Sequence, residues 1–145
     1  LAFFHDHDVR YLIIGAHALA AHGVQRATGD LDLWVEPSVQ NATRVFSALA
    51  EFGAPLEAHG IVLDDFTHPG NVYQMGLPPR RIDVLTSITA VEFSDAWADR
   101  THVRINGRSI PVAGRASLIR NKQATGRPKD ANDVLALLQQ EPSEE

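Results

Sequence analysis

Asp30 and Asp32 stand two apart in a chain of 145 residues, within the alternating run Asp30-Leu31-Asp32-Leu33-Trp34-Val35-Glu36. On a strand, residues i and i+2 point to one side, and the two carboxylates would lie about 6.5–7 Å apart at roughly 3.3 Å of rise per residue. Carboxylates so placed repel each other, and partial burial puts a proton on one of them unless a cation is near. Magnesium answers that need, because it takes oxygen ligands, uses only one or two protein carboxylates and fills its shell with water and phosphate. The pair therefore suits phosphoryl transfer, where a metal offsets charge at the reacting phosphorus. The same alternation also describes an edge strand with Leu31, Leu33 and Val35 inward and Asp30, Asp32, Trp34 and Glu36 in water, which needs no metal. So short a motif does not choose between the two.

Three further features bear on the choice. Gly15 closes the apolar run Tyr11 to Ile14 ahead of a short Ala-rich segment, either as a plain tight turn or as a place where backbone N–H groups meet an anion. Asp83 lies in Arg81-Ile82-Asp83-Val84-Leu85, where a lone carboxylate among strand formers needs a partner. That partner is either Arg80 or Arg81, or a cation at a site shared with the first pair. From Arg115 to Lys129 the chain holds five basic residues and no acidic one, a stretch that is either a solvated helix face or a local phosphate contact.

The elements that must position these residues follow from periodicity and turn residues. Tyr11 to Ile14 predicts a strand, and Ala16 to His22 a short helix stopped by Gly23. Asp30 to Glu36 predicts a strand with one polar face. Ser38 is an N-cap for a helix carrying Val45, Phe46, Leu49 and Phe52 up to Gly53. Short strands are expected at Ile61 to Leu63, Asn71 to Met75 and Arg81 to Leu85, separated by turns at Pro69-Gly70 and Gly76 to Pro79. A helix near Val91 to Ala98 is followed by a hairpin, His102 to Ile105 and Ser109 to Val112, turning at Asn106-Gly107. Two helices end the chain, the last beginning at Pro128 with Val134, Leu135 and Leu138 as its apolar stripe. Asp130 and Asp133 in that helix are expected to complement its N-terminal dipole rather than bind metal. Helices interspersed with strands predict an α/β or α+β fold with a mixed sheet flanked by helices, a single compact domain over residues 1–140 with a disordered tail at 141–145.

Composition sets limits on function. At 44% hydrophobic and 21% charged residues the chain can enclose one core. The absence of cysteine excludes disulfides and thiolate zinc sites and suits a cytoplasmic location, the default expectation. A net charge of −5 disfavours a broad electrostatic grip on nucleic acid. No apolar run approaches the ~20 residues that cross a bilayer. None of the seven histidines is placed as a zinc ligand, since His17 and His22 are five apart rather than four.

The run from Ile14 to Val35, I-G-A-H-A-L-A-A-H-G-V-Q-R-A-T-G-D-L-D-L-W-V, resembles the nucleotidyltransferase superfamily in its small bacterial and archaeal members. In that family a strand ends in Gly followed by Gly or Ser, a short helix comes next, an Asp-x-Asp pair sits on the following strand, and a third carboxylate on a later one. Gly15, Asp30, Asp32 and Asp83 match those places. The closing segment L-I-R-N-K-Q-A-T-G-R-P-K-D-A-N-D-V is similar to the end of nucleotidyltransferase-like proteins related to the abortive-infection toxin group. The resemblance implies transfer of a nucleoside monophosphate from an NTP to an acceptor hydroxyl on RNA, protein or a small molecule. Asp30, Asp32 and Asp83 would hold two magnesium ions, with Asp83 also helping to remove the acceptor's proton. Gly15 and Ala16 would give backbone N–H groups to the phosphates, Lys122 would neutralise phosphate charge, and Arg26 and Thr28 would line the pocket. It also implies a toxin–antitoxin setting with a cognate partner. Ala16 departs from the family's Gly or Ser, so a hydroxyl contact to phosphate is missing, and a non-catalytic binding or regulatory module is the alternative reading. A metal-dependent phosphohydrolase is a third, which does not account for the strand-Gly-helix arrangement.

Overall fold

The computed structural model describes residues 1–26, 29–77 and 80–140. Thr28, the end of the turn from Gly76 to Pro79 and the expected tail at 141–145 lie outside the described residues.

Six strands make one mixed sheet. They are β1 (Tyr11–Ile14), β2 (Leu31–Val35), β3 (Val72–Met75), β4 (Ile82–Leu85), β5 (Thr101–Ile105) and β6 (Arg108–Val112), in the order β3-β4-β2-β1-β6-β5. β1–β6 and β2–β4 are parallel, and the other neighbours are antiparallel. All four residues of β1 are buried, as a strand covered on both faces requires. β2 is therefore central, not an edge, and the solvated-edge reading of Asp30 and Asp32 is overturned. Trp34, expected in water beside the two acids, is 1% exposed and meets Phe93 edge-on with ring centroids 5.2 Å apart. The face is polar only where β2 begins.

Helices cover the sheet: α1 (Ala2–Asp6), α2 (Gly15–Ala21), α3 (Val39–Phe52), α4 (Phe93–Ala98), α5 (Arg115–Thr125) and α6 (Pro128–Gln139). α3 starts as predicted, the Ser38 hydroxyl accepting from the Asn41 N–H at 3.2 Å, and Gly53 ends it at φ +100°. The β5–β6 hairpin turns through Asn106 and Gly107, both at positive φ, so the two-residue signal reads correctly. Two segments differ from expectation. No strand forms at Ile61 to Leu63; instead the Asp65 carboxylate accepts from the Val62 N–H at 2.8 Å, and a 3-10 turn follows over Leu63–Phe66. α1 was not foreseen and is fixed by tertiary packing, with Phe4 fully buried against Tyr11 and Phe3 stacked on Phe52. Burying such a phenylalanine is worth about 1.5–3 kcal/mol, enough to hold five residues that would not be helical alone.

α6 also needs correction. Its buried stripe is Asp130, Asp133, Val134 and Leu137, whereas Leu135 and Leu138 face outward. The acids take the inward places because α5 and the segment before β2 present cations there, and a buried charge needs a partner.

Candidate active site

Register brings the sequence-distant acids together. Ile14 pairs with Asp32 across β1–β2, Asp32 with Asp83 across β2–β4, and Asp83 with Gln74 across β4–β3. Directly opposed residues share a face, and neighbouring strands lie about 4.8 Å apart, so the Asp32 and Asp83 carboxylates stand side by side. Asp30 precedes β2 by one residue and lies next to Arg81, which precedes β4, with the Arg81 N–H 3.4 Å from Asp30 Oδ1. Gly15, at φ +72°, passes so close to this row that a Cβ there would collide with the Asp32 carboxylate. Glycine is required twice over, for the backbone angle and for the space.

These groups line a cleft of about 550 Å³ whose opposite wall is built by α5 and α6. Gly15, Ala16, Arg26, Asp30, Asp32, Asp83 and Lys122 all face it, so every described residue predicted for the site is brought to one place. Leu19, Leu85, Ile88 and Leu118 give it an apolar side, and the Asn121 amide donates to the Thr89 carbonyl at 3.0 Å, tying the loop after β4 to α5.

Charge is distributed unevenly. On the sheet side, Asp32 is pushed up to about 6, first by burial and then by the Asp83 and Asp30 charges, against the opposing pull of Arg81. Arg81 Nε donates to Asp83 Oδ1 at 2.8 Å, its terminal NH2 group to Asp83 Oδ2 at 3.2 Å, and the same group lies 3.4 Å from Asp30 Oδ2. Of the partners envisaged for Asp83, the structure holds the ion pair with Arg81, and the same carboxylate also stands beside Asp32. On the helix side, Lys122 Nζ lies 3.0 Å from Asp133 Oδ2 and 3.5 Å from Asp130 Oδ1, and Arg26 also pairs with Asp133. The Arg127 guanidinium and the Thr125 hydroxyl both bond to Asp130 and hold its carboxyl well below the usual carboxylate range. Burial pulls Lys122 below the usual lysine range, with Asp130 acting against it.

Asp130 lies in the first turn of α6, as the dipole reading expects, but that reading is incomplete, since Asp130 and Asp133 are fully buried counter-ions that fix Lys122 and Arg26 at the cleft. Arg127 and Lys129 also reach it, and Arg81 lies among the acids. A signal was available in the sequence: an acidic i, i+3 pair eight and eleven residues after a lysine, on helices joined by a tight Gly turn, places acid and base on facing helices.

Asp30, Asp32 and Asp83 offer only oxygen donors, and one guanidinium faces three carboxylates. Burial first and then the neighbouring carboxylates raise Asp32, and a set of oxygen donors of this kind suits a hard divalent ion. Among the described residues no three acidic or histidine side chains are gathered around a common point for a metal. What bridges Asp83 and Asp30 is the Arg81 guanidinium.

No protein-family model and no curated protein sequence matches the chain. Solved structures do. A provisionally assigned nucleotidyltransferase (TM1012) from Thermotoga maritima superposes with a TM-score of 0.57 at 15% identity, over 93% of this chain and 88% of that one. The lincosamide antibiotic adenylyltransferase LnuA, in its lincomycin-bound form, superposes with a TM-score of 0.51 at 14% identity, over 94% and 90% of the two chains. At these identities the likeness is one of architecture, and the chain has the nucleotidyltransferase fold.

Proposed function

We propose that this protein is a divalent-metal-dependent nucleotidyltransferase that moves a nucleoside monophosphate from an NTP to an acceptor hydroxyl and releases pyrophosphate. The observation that carries the reading is the division of one cleft into an under-neutralised acidic end, Asp30, Asp32 and Asp83, and a cationic end around Lys122 and Arg26. The acceptor oxygen forms a bond to the α-phosphorus while the bond from that phosphorus to the bridging oxygen breaks, and the electron pair leaves with pyrophosphate.

Asp30, Asp32 and Asp83 would hold magnesium, two ions in the fullest version of the proposal. The metal supplies charge neutralisation at the phosphates and at the leaving oxygens. Asp83 takes up the proton of the acceptor hydroxyl. Gly15 and Ala16 offer backbone N–H groups to the phosphate chain, and Lys122, Arg26 and Lys129 offset its charge from the far wall. Thr28 stays in the proposal as a lining residue by its place in the sequence.

The acceptor hydroxyl belongs to RNA, a protein or a small molecule. The lincosamide adenylyltransferase among the structural neighbours supports a small-molecule acceptor, and the likeness of the closing segment to the abortive-infection group supports one half of a toxin–antitoxin pair. Incubation with each labelled NTP and magnesium, with RNA, protein and small-molecule acceptors offered in turn, tests all three. Label transfer that disappears in Asp32→Ala is expected, and no transfer from any NTP to any acceptor class counts against the reading.

A second reading has one observation in its favour: Arg81 already engages both oxygens of Asp83, as in a nucleotide-binding module without chemistry. Calorimetry separates the two, because such a module would bind NTP equally with or without magnesium and equally after Asp30→Ala.

A further inference from the structure

Arg81 is placed unlike Lys122, Arg26 and Arg127 at the same cleft. Lys122, Arg26 and Arg127 neutralise Asp130 and Asp133, which are fully buried on the helix side. Arg81 instead forks onto Asp83, donating to one oxygen at 2.8 Å and to the other at 3.2 Å, and reaches Asp30 at 3.4 Å. It does so from the residue just before β4, two positions ahead of Asp83, where extended backbone puts both side chains on one face. Its side chain is 31% exposed, which leaves it room to swing away into the cleft.

We propose that Arg81 is a resident placeholder for the metal: its guanidinium holds Asp83 and Asp30 in the metal-free protein and yields them only when a triphosphate offers it phosphate oxygens in exchange. The inference rests on the proposed nucleotidyltransferase site and adds an order of events to it. A forked guanidinium occupies both oxygens of its carboxylate, so a divalent ion arriving alone must displace a paired group that has nowhere better to go. A triphosphate supplies that destination, since arginine binds phosphate through the same fork. Metal and nucleotide then enter together, and each raises the other's affinity, with coupling of this kind amounting to about 5–150-fold. Free metal ions are kept out of an empty site.

Manganese titration by electron paramagnetic resonance, with and without a non-hydrolysable ATP analogue, tests this on the intact chain. Expected without nucleotide is Mn²⁺ binding about tenfold or more tighter in Arg81→Gln than in the parent. Arg81→Lys, which keeps the charge but loses the fork, should also tighten binding. Arg80→Gln removes one charge from the exposed neighbouring residue and should stay within about twofold of the parent. Circular dichroism confirms that each variant is folded. Two results overturn the proposal while leaving the proposed function intact: Arg81→Gln and Arg81→Lys binding Mn²⁺ alone no tighter than the parent, or Arg80→Gln gaining as much as Arg81→Gln. If no variant binds Mn²⁺ even with the analogue present, the metal site itself is wrong and both readings fall together.

Discussion

Asp32 lines the cleft and Asp130 is buried in the helix that forms its opposite wall, yet the first is pushed up to about 6 while the second is held well below the usual carboxylate range. The difference lies in their neighbours. Asp32 is partly buried beside Asp83 and Asp30, and among the described residues the cation paired with this row is the Arg81 guanidinium, itself committed to Asp83. Asp130 is buried too, but the Arg127 guanidinium, the Thr125 hydroxyl and the Lys122 ammonium surround it. One group of acids is a completed ion cluster that joins α5 to α6. The other is a row of like charges on which the proposed function places a cation.

The sharpest way to break this comparison is to remove an acid from each side. Asp83→Ala is expected to lower nucleotidyl transfer about a thousandfold or more, since metal stabilisation of the transition state is worth several kcal/mol and each 1.36 kcal/mol is tenfold. A single-turnover assay reads it, and a loss below tenfold would dissolve the functional half of the contrast. On the helix side the expected loss is of stability. Lys122→Ala leaves Asp130 and Asp133 buried with a partner missing and should cost about 3–5 kcal/mol in urea unfolding. A stable Lys122→Ala protein would show that the cluster is not the structural joint described above.

A pH series sharpens the contrast further, because the two sides run with opposite sign. With a folded pKa near 6 against an unfolded value of about 3.9, Asp32 holds its proton in the native state longer than in the unfolded chain. Its contribution therefore weakens stability as pH rises from about 4 to 6, and the cost is complete above about 6. Asp32→Asn should make the metal-free protein more stable by about 1–3 kcal/mol at pH 7–8, with the gap closing near pH 4. Asp130 has a depressed folded pKa, so its contribution is present above about pH 4 and is lost as pH falls below that. Asp130→Asn should destabilise the protein at neutral pH and converge with the parent in acid. Thermal unfolding of the parent and both variants across pH 3–8 reads both signs at once.

Much of this was legible in the chain. The strands around Asp30, Asp32 and Asp83, the cap at Ser38, the Asn106-Gly107 turn and the Pro128 helix start follow from local rules of alternation, capping and turn geometry, which depend on only a few neighbouring residues. The candidate site was legible through the family resemblance that Gly15, Asp30, Asp32 and Asp83 carry, because each short motif by itself also describes a solvated strand or a plain turn. The segment at Ile61 to Leu63 was misread because an Asp65 side chain took the backbone N–H that a strand would have used, and α1 was missed because its helix depends on Phe4 finding Tyr11.

By itself, then, the sequence determined which residues could carry the chemistry and which strands would present them. Only the tertiary structure decided that β2 is central rather than an edge, that Asp32 and Asp83 are neighbours, and that Arg81 lies among the acids. It also decided that Asp130 and Asp133 turn inward while Leu135 and Leu138 turn out. The physical reason is common to all of these. Burial and charge pairing are set by what lies across the fold, at separations of 51 residues between Asp32 and Asp83 or 107 between Arg26 and Asp133, and no local window of sequence contains both partners.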